Sequence, residues 1–274
     1  QGEKGEQGER GEKGEKGDSG GIDWADAKKL STYNNTLETV AYENSVALGY
    51  GAKTNGKGSV SLGNFANNFT SEEEIPATTA LGGGAYVYGN QGTAVGANSQ
   101  SHGDGSVALG YGANVTDDSE NAQSAKNSIA IGKDAQSKGM YSVSIGGGSS
   151  AVSTAVALGE GAKADATGST SIGRYANHEG AGSFSVAVGN SAKSTGSLSI
   201  AIGQATKARE DSSIAIGYGA TTNEGEYLSG GIAIGLNAGK GGFVSGIAIG
   251  TDTRTSNNDA VSIGRQCGEI RGEG

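Results

Sequence analysis

A phrase of five residues repeats along most of this chain, from Ser45–Gly49 to Ala260–Gly264. Fifteen copies occur, and eight of the fourteen gaps between their closing glycines are 14 residues long. A short fixed period builds a rod of stacked units, because each unit buries its surface only against its neighbours. The sequence therefore predicts a rod over residues 45–267 and not a globule around one core. The closing glycines are Gly49, Gly63, Gly82, Gly96, Gly110, Gly132, Gly146, Gly159, Gly173, Gly189, Gly203, Gly217, Gly235, Gly250 and Gly264.

A second column supports this alignment. The residue three positions after each closing glycine is always small: ten copies have alanine, and the others have Ser99, Ser149, Thr206, Thr253 and Cys267. A position that never exceeds threonine in size indicates close approach to another stretch of backbone.

The phrase itself has the pattern of a short strand. In Ser128–Gly132, polar or small residues alternate with branched aliphatic ones, which is the period of a strand with two different faces. Glycine supplies 52 of the 274 residues, and each would cost a helix roughly 1 kcal/mol. We therefore expect an all-β chain, in which each coil has a strand, a glycine turn, a second short strand and a return turn, and successive coils pair in parallel.

The two faces of the phrase differ. Val, Ile or Leu occupies the second and fourth positions, and burying each is worth roughly 1.5 to 3 kcal/mol. Small residues suit the gap between the two strands of one coil, so the aliphatic row requires a second surface, most simply another chain. The reverse assignment, with aliphatic side chains inside the coil, predicts the same rod.

Residues 1–20 have a different repeat, six Gly-X-Y triplets from Gly2 to Ser19. Only glycine fits at the axis of three wound chains, so this segment predicts a collagen-like triple helix and hence a homotrimer. Residues 21–44 contain the single tryptophan, Trp24. They form either a helical collar or an irregular linker between the triple helix and the rod.

Polar insertions interrupt the 14-residue spacing in three places. Insertions in solenoids map to surface loops, often on the binding face. We therefore expect the contact residues of the rod to be Glu72, Glu73, Glu74, Asp117, Asp118, Glu120, Glu224, Glu226 and Tyr227.

Composition argues against several classes of function. The chain has 34% hydrophobic and 5% aromatic residues and a net charge of −9, with its basic residues scattered. Nucleic-acid binding is therefore not expected, because it needs a basic stripe. No stretch approaches 18 apolar residues, so we expect no membrane insertion by this segment.

Residues that could carry chemistry are few. His102 and His178 are the only histidines and have no metal or triad spacing, so we expect no enzyme, metal site or cofactor. Tyr50, Tyr111 and Tyr218 share the column after the glycine, where they form either a sugar-binding ladder or scattered surface tyrosines. Cys267 is the only cysteine. It either replaces alanine in the small column or forms an interchain disulfide.

The repeats Asn127–Ala135 and Ser213–Ala220 resemble the head repeats of YadA-like trimeric autotransporter adhesins. The resemblance covers roughly residues 44–267 and implies a trimer of left-handed parallel β-rolls outside the cell. It also implies attachment to host surfaces, matrix proteins, glycans or other cells. Asp259–Gln266 looks like the start of that family's neck, but residues 268–274 depart from it and predict a truncated end.

One feature departs from this family, because the collagen-like segment precedes the head. Such an order also resembles bacteriophage tail fibres, so a host-recognition fibre of a virion is the alternative. A purely structural extracellular filament and a polysaccharide-degrading solenoid enzyme are further alternatives.

Overall fold

The computed structural model describes residues 44–68, 77–116, 125–222, 230–241, 246–255 and 260–268, and these contain strands but no helix. The strands are β1 (Val46–Leu48), β2 (Lys53–Thr54), β3 (Val60–Leu62), β4 (Asn67–Asn68), β5 (Thr79–Leu81), β6 (Tyr86–Val87), β7 (Thr93–Val95), β8 (Gln100–Ser101), β9 (Val107–Leu109), β10 (Asn114–Val115), β11 (Ile129–Ile131), β12 (Gln136–Lys138), β13 (Val143–Ile145), β14 (Ser150–Val152), β15 (Val156–Leu158), β16 (Lys163–Ala164), β17 (Thr170–Ile172), β18 (Val186–Val188), β19 (Lys193–Ser194), β20 (Ile200–Ile202), β21 (Lys207–Ala208), β22 (Ile214–Ile216), β23 (Thr221–Thr222), β24 (Ile232–Ile234), β25 (Ile247–Ile249) and β26 (Val261–Ile263).

Every copy of the repeated phrase contributes one strand to a single fifteen-stranded sheet, which we call the first sheet. Its order is β1-β3-β5-β7-β9-β11-β13-β15-β17-β18-β20-β22-β24-β25-β26. Neighbouring strands are parallel and pair equivalent positions, for example Ile200 with Ile214 and Ala201 with Ala215. This register confirms the prediction of a parallel β-solenoid.

The second strand of each coil builds the opposite side of the rod, which we call the second sheet. It has an eight-stranded part, from β2 to β16 through the even-numbered strands, and a three-stranded part, β19-β21-β23. Between them, in the ninth coil, residues 174–179 form turns instead of a strand. The expected second strand is thus present in eleven of the fifteen coils within the described residues.

Backbone bonds from the Lys163 N–H to the Ala176 carbonyl and from the Asn177 N–H to the Ala192 carbonyl cross this interruption, and the Asn177 side chain adds to them. This side chain is fully buried. Its Nδ2 donates to Ser171 Oγ at 2.9 Å, and its Oδ1 accepts from the Ser194 backbone N–H at 2.6 Å. The amide side chain therefore supplies a hydrogen bond that a neighbouring strand would otherwise make.

The space between the two sheets is filled by small side chains. The middle residue of the first-sheet strands, such as Ala130 or Ala201, and the small column, such as Ala135, are fully buried. Leu109 and Ile202 point outwards and are 42% and 39% exposed. The structure confirms the assignment with small residues inside, and the reverse assignment is wrong because so narrow a coil accommodates little more than alanine or serine.

Several hydroxyl groups inside the coil are paired with one another. Ser144 Oγ lies 2.7 Å from Ser149 Oγ, and Ser194 Oγ lies 2.6 Å from Ser199 Oγ. Buried polar groups are costly unless they are hydrogen-bonded. These pairs explain why serine can replace alanine in the interior.

Two backbone positions form the corner after the first sheet. The closing glycines have φ between 124° and 137°, a region that other residues rarely adopt. The residue two positions later is left-handed in all fifteen coils, with φ between 52° and 66°, although nine of these residues are not glycine. This corner therefore has one conformation throughout the rod.

The predicted collagen-like segment at 1–20, the collar at 21–44 apart from Asn44, and the truncated end at 268–274 apart from Gly268 lie outside the described residues. These assignments stay predictions.

Candidate contact surfaces

The predicted contact residues Glu72, Glu73, Glu74, Asp117, Asp118, Glu120, Glu224, Glu226 and Tyr227 all lie outside the described residues. The structure nevertheless describes where their segments are attached. Residues 69–76 follow β4, residues 117–124 follow Thr116 beyond β10, and residues 223–229 follow β23. Each segment thus leaves the end of a second-sheet strand and returns before a first-sheet strand. All three insertions start from the same corner of the rod.

The outer face of the first sheet is a continuous apolar surface along the described coils. Of its thirty outward positions, 27 are Val, Ile or Leu, and the other three are Thr79, Thr93 and Thr170. Most of these side chains are half-buried because the neighbouring coils cover their flanks, while Val46 and Ile145 are exposed. Contiguous apolar patches of this kind mark interaction surfaces.

Tyr50, Tyr111 and Tyr218 are exposed in the column after the glycine. They belong to coils 1, 5 and 12, so no two of them are neighbours. Tyr50 instead packs edge-on against Phe65, with ring centroids 5.1 Å apart. The geometry favours scattered surface tyrosines over a ladder.

Sequence reasoning missed an aromatic cluster on the outer face of the second sheet. Tyr88 stacks on His102 with centroids 4.4 Å apart, and Tyr86 lies 6.3 Å from Tyr88. His102 Nε2 lies 3.2 Å from Gln100 Oε1. Burial lowers the pKa of His102, and burial together with Tyr86 raises the pKa of Tyr88. The signal was available in the sequence, since Tyr88 and His102 are 14 residues apart.

Cys267 carries a free thiol and is half-buried. Its Sγ donates to the Ile263 carbonyl at 3.2 Å. The equivalent alanines are fully buried under the next coil, whereas Cys267 belongs to the last coil that the structure describes. The thiol is therefore more accessible than its column suggests, and the interchain disulfide stays a prediction.

Within the described residues, no group of three or more His, Cys, Asp or Glu side chains could hold a metal ion. The same part of the chain contains no helix with the length and apolar character that a membrane crossing requires.

The stacked coils, the parallel register and the outward aliphatic face define a β-roll, a parallel β-solenoid that displays one apolar side. The family model for the YadA head domain repeat matches residues 43–66, 77–99, 88–113, 101–119, 124–149, 153–176, 194–220 and 244–266. The chain belongs to this family of head domains from adhesin-type trimeric autotransporters, which are typically exposed at the cell surface. A search of the curated proteins gave no match.

Proposed function

We propose that this chain is a non-enzymatic, extracellular adhesin head that works as a homotrimer and attaches to host surfaces, matrix or other cells. The observation that carries the proposal is the continuous aliphatic face of the first sheet, together with membership of the YadA head family.

The aliphatic face supports a trimer on energetic grounds. Covering a valine, isoleucine or leucine side chain completely is worth roughly 1.5 to 3 kcal/mol, and each of these side chains is already partly covered within its own chain. Even a fraction of that value, summed over 27 side chains, exceeds the cost of association by a wide margin. Three copies that bring these faces together around one axis leave the second sheet and the insertion corner on the outside.

The binding mode follows from this geometry. A trimeric rod presents three copies of each surface, repeated around a stiff axis, and linked weak contacts raise the overall affinity by increasing the effective concentration. Attachment of this kind requires no deep pocket and no catalytic group.

The trimer is tested by replacing Ile202 and Ile216 with lysine in the full chain. Two cations per chain at the centre of an apolar interface are costly to desolvate, so we expect the mass in solution to fall from three chains to one. Thr167→Lys and Gln204→Lys, both at exposed positions, provide a control of equal charge that should remain a trimer. A single-chain mass for the unmodified protein would contradict the proposal.

Adhesion is tested by coating beads with the trimer and measuring their attachment to cells and to matrix proteins. Replacing residues 69–76, 117–124 and 223–229 with short glycine-serine linkers should weaken attachment while the trimer persists. Full attachment after all three replacements would show that the insertions are not the contact residues. No attachment by the unmodified trimer to any surface would contradict the proposed function.

A further inference from the structure

The charge of this protein is divided unequally along its length. The described residues hold thirteen of the 20 basic side chains but only eight of the 29 acidic ones. The described coils are therefore net basic, although the whole chain carries a net charge of −9. The acidic excess belongs to the remaining segments.

Basic side chains align along one side of the C-terminal half of the rod. The position four residues after the closing glycine lies on the outer face of the second sheet, opposite the aliphatic face, and it is occupied by Lys163, Lys193, Lys207 and Arg254 in coils 8, 10, 11 and 14. Two further exposed cations lie on the same side of the rod: Lys240, five residues after its closing glycine, and Arg209, six residues after its own. We call the whole set the basic track: Lys163, Lys193, Lys207, Arg209, Lys240 and Arg254.

The track follows the rod axis. Lys193 and Lys207 pair directly in register across β19 and β21. Six steps between neighbouring coils separate Lys163 from Arg254, which is about 29 Å at roughly 4.8 Å per step. Like charges that face each other across neighbouring strands are destabilising, so this arrangement favours an anion that lies across them.

The protein itself compensates the track only in part. Glu179 forms an ion pair with Lys193, and this hydrogen-bonded pair, helped by Arg209 and Lys207, lowers the pKa of the Glu179 carboxyl. Lys207 and Arg209 form no ion pair of their own within the described residues. One carboxylate therefore faces three cations.

The other carboxylates near the track are exposed to solvent or used elsewhere. Asp165 is exposed and Glu210 is buried. Asp211 Oδ1 accepts from the Ser197 backbone N–H at 2.7 Å, and Asp252 Oδ1 accepts from Asn237 Nδ2 at 3.0 Å. The track keeps a local excess of positive charge.

A cavity of about 330 Å³ lies at the C-terminal end of the track, beyond β23, the last strand of the second sheet. It is lined by Asn237, Lys240, Gly241, Asp252 and Arg254. Two of these five residues are track cations, so the cavity can hold an anionic group at the end of a ligand that follows the track.

We propose that the basic track binds a linear acidic glycan, with its carboxylate or sulfate groups on Lys193, Lys207 and Arg209 and one end in the cavity at Lys240 and Arg254. The inference rests on the proposed function and names a ligand class for it. The track is solvent-facing in a trimer that buries the first sheet, so three glycan-binding faces surround each rod.

Charge density distinguishes the glycan from a nucleic acid. Duplex DNA carries one charge per about 1.7 Å of axis, whereas successive track positions are one or more coils apart, at about 4.8 Å per coil. A polymer whose acidic groups are spread over successive sugars matches this spacing better than a polyphosphate does.

The test uses the full chain and immobilised heparin, which is sulfated, hyaluronate, which carries only carboxylates, and single-stranded DNA. Lys207, Arg209 and Lys240 are changed together to glutamine, which leaves the Lys193–Glu179 pair intact. We expect heparin binding to weaken about 5-fold for each cation removed, the value of one close charge contact in water. The dependence of binding on salt should also become shallower. A preference for heparin over hyaluronate identifies sulfate as the recognised group, and equal binding identifies the carboxylate.

A matched control changes Lys57, Lys133 and Arg265, which are exposed and outside the track, to glutamine. It alters the net charge equally and should bind heparin like the unmodified chain. Glu179→Gln should strengthen binding about 5-fold, because it removes the competing anion.

Three results would overturn the inference: unchanged heparin binding by the track variant, equal loss in the control, or DNA binding that matches heparin and depends on the same three residues. The proposed function is separable in the same material. A protein that attaches to cells but ignores all acidic glycans loses this inference only, and one that binds heparin but attaches to no surface loses the proposed function only.

Discussion

The closing glycines make the sharpest prediction about stability, because an added Cβ at any of the first fourteen would meet the glycine of the next coil. A Cβ atom added to Gly203 would lie 2.6 Å from the Gly217 carbonyl oxygen and 2.8 Å from its carbonyl carbon. The atoms in the way are backbone, so no side-chain rotation relieves the contact. We therefore expect Gly203→Ala to force the two coils apart.

The magnitude follows from two contributions. The φ of Gly203 is 130°, and an L residue at positive φ costs about 1 to 2 kcal/mol even in the left-handed helical region. Separating the coils also weakens the bond from the Gly217 N–H to the Ile202 carbonyl, which is 2.8 Å long, and its neighbours, at about 1 kcal/mol each. The expected loss of unfolding free energy is about 3 to 5 kcal/mol.

Gly148 provides the matched control. Its φ is also positive, at 62°, but no atom lies within 4 Å of an added Cβ, so Gly148→Ala should cost only about 1 kcal/mol. Both variants are compared by urea unfolding at one protein concentration, since association shifts apparent stability. Amide hydrogen exchange at Gly217 locates the effect. Equal losses in the two variants, or unchanged exchange at Gly217, would refute the steric argument.

Three further predictions concern single side chains. Asn177→Ala should cost about 1 to 3 kcal/mol by leaving buried partners unsatisfied and should speed hydrogen exchange at Ser194, whereas Asn190→Ala, at an exposed position, should do neither. The lowered pKa of His102 means that the unfolded chain binds the proton more readily, so the free energy of unfolding should fall as the pH drops below 6.5. His102→Gln should make the free energy of unfolding depend less on pH in this range, and an unchanged slope would contradict this. Cys267 should give linked chains on a non-reducing gel after oxidation, and a band that persists in Cys267→Ser would exclude this thiol as the link.

Most of the fold could be predicted because the repeat determines it. The fifteen closing glycines predicted the number of strands in the first sheet, and the alternation in a phrase such as Ser128–Gly132 predicted where each strand lies. The repeat of one phrase predicted that equivalent positions pair in parallel. The two possible face assignments could not be separated from sequence, since either one buries a regular column. The structure decided between them, because Ala130 is fully buried inside the coil whereas the neighbouring Ile131 lies half-buried on the outer face.

The interruption in the second sheet was harder to foresee. At this coil the 16-residue gap between Gly173 and Gly189 was the visible irregularity, and it did not indicate that turns would replace the strand or that the Asn177 side chain would bond to Ser171 and Ser194. The basic track was missed for a different reason. Its cations are many residues apart in sequence, and the net charge of the whole chain concealed them until the coils brought Lys193 and Lys207 into register.

The substitution of Asn177 for a strand has a mechanical consequence. In the proposed adhesin, a rod that holds two surfaces together experiences tension along its axis, and in a solenoid this load passes from coil to coil through the hydrogen bonds between them. At the ninth coil the first sheet continues, but the opposite side has turns in place of a strand, held by the bonds from the Lys163 N–H to the Ala176 carbonyl and from the Asn177 N–H to the Ala192 carbonyl and by the Asn177 amide side chain. Under load we expect the rod to yield first on that side and to bend there, which would let a stretched fibre absorb extension before its coils separate.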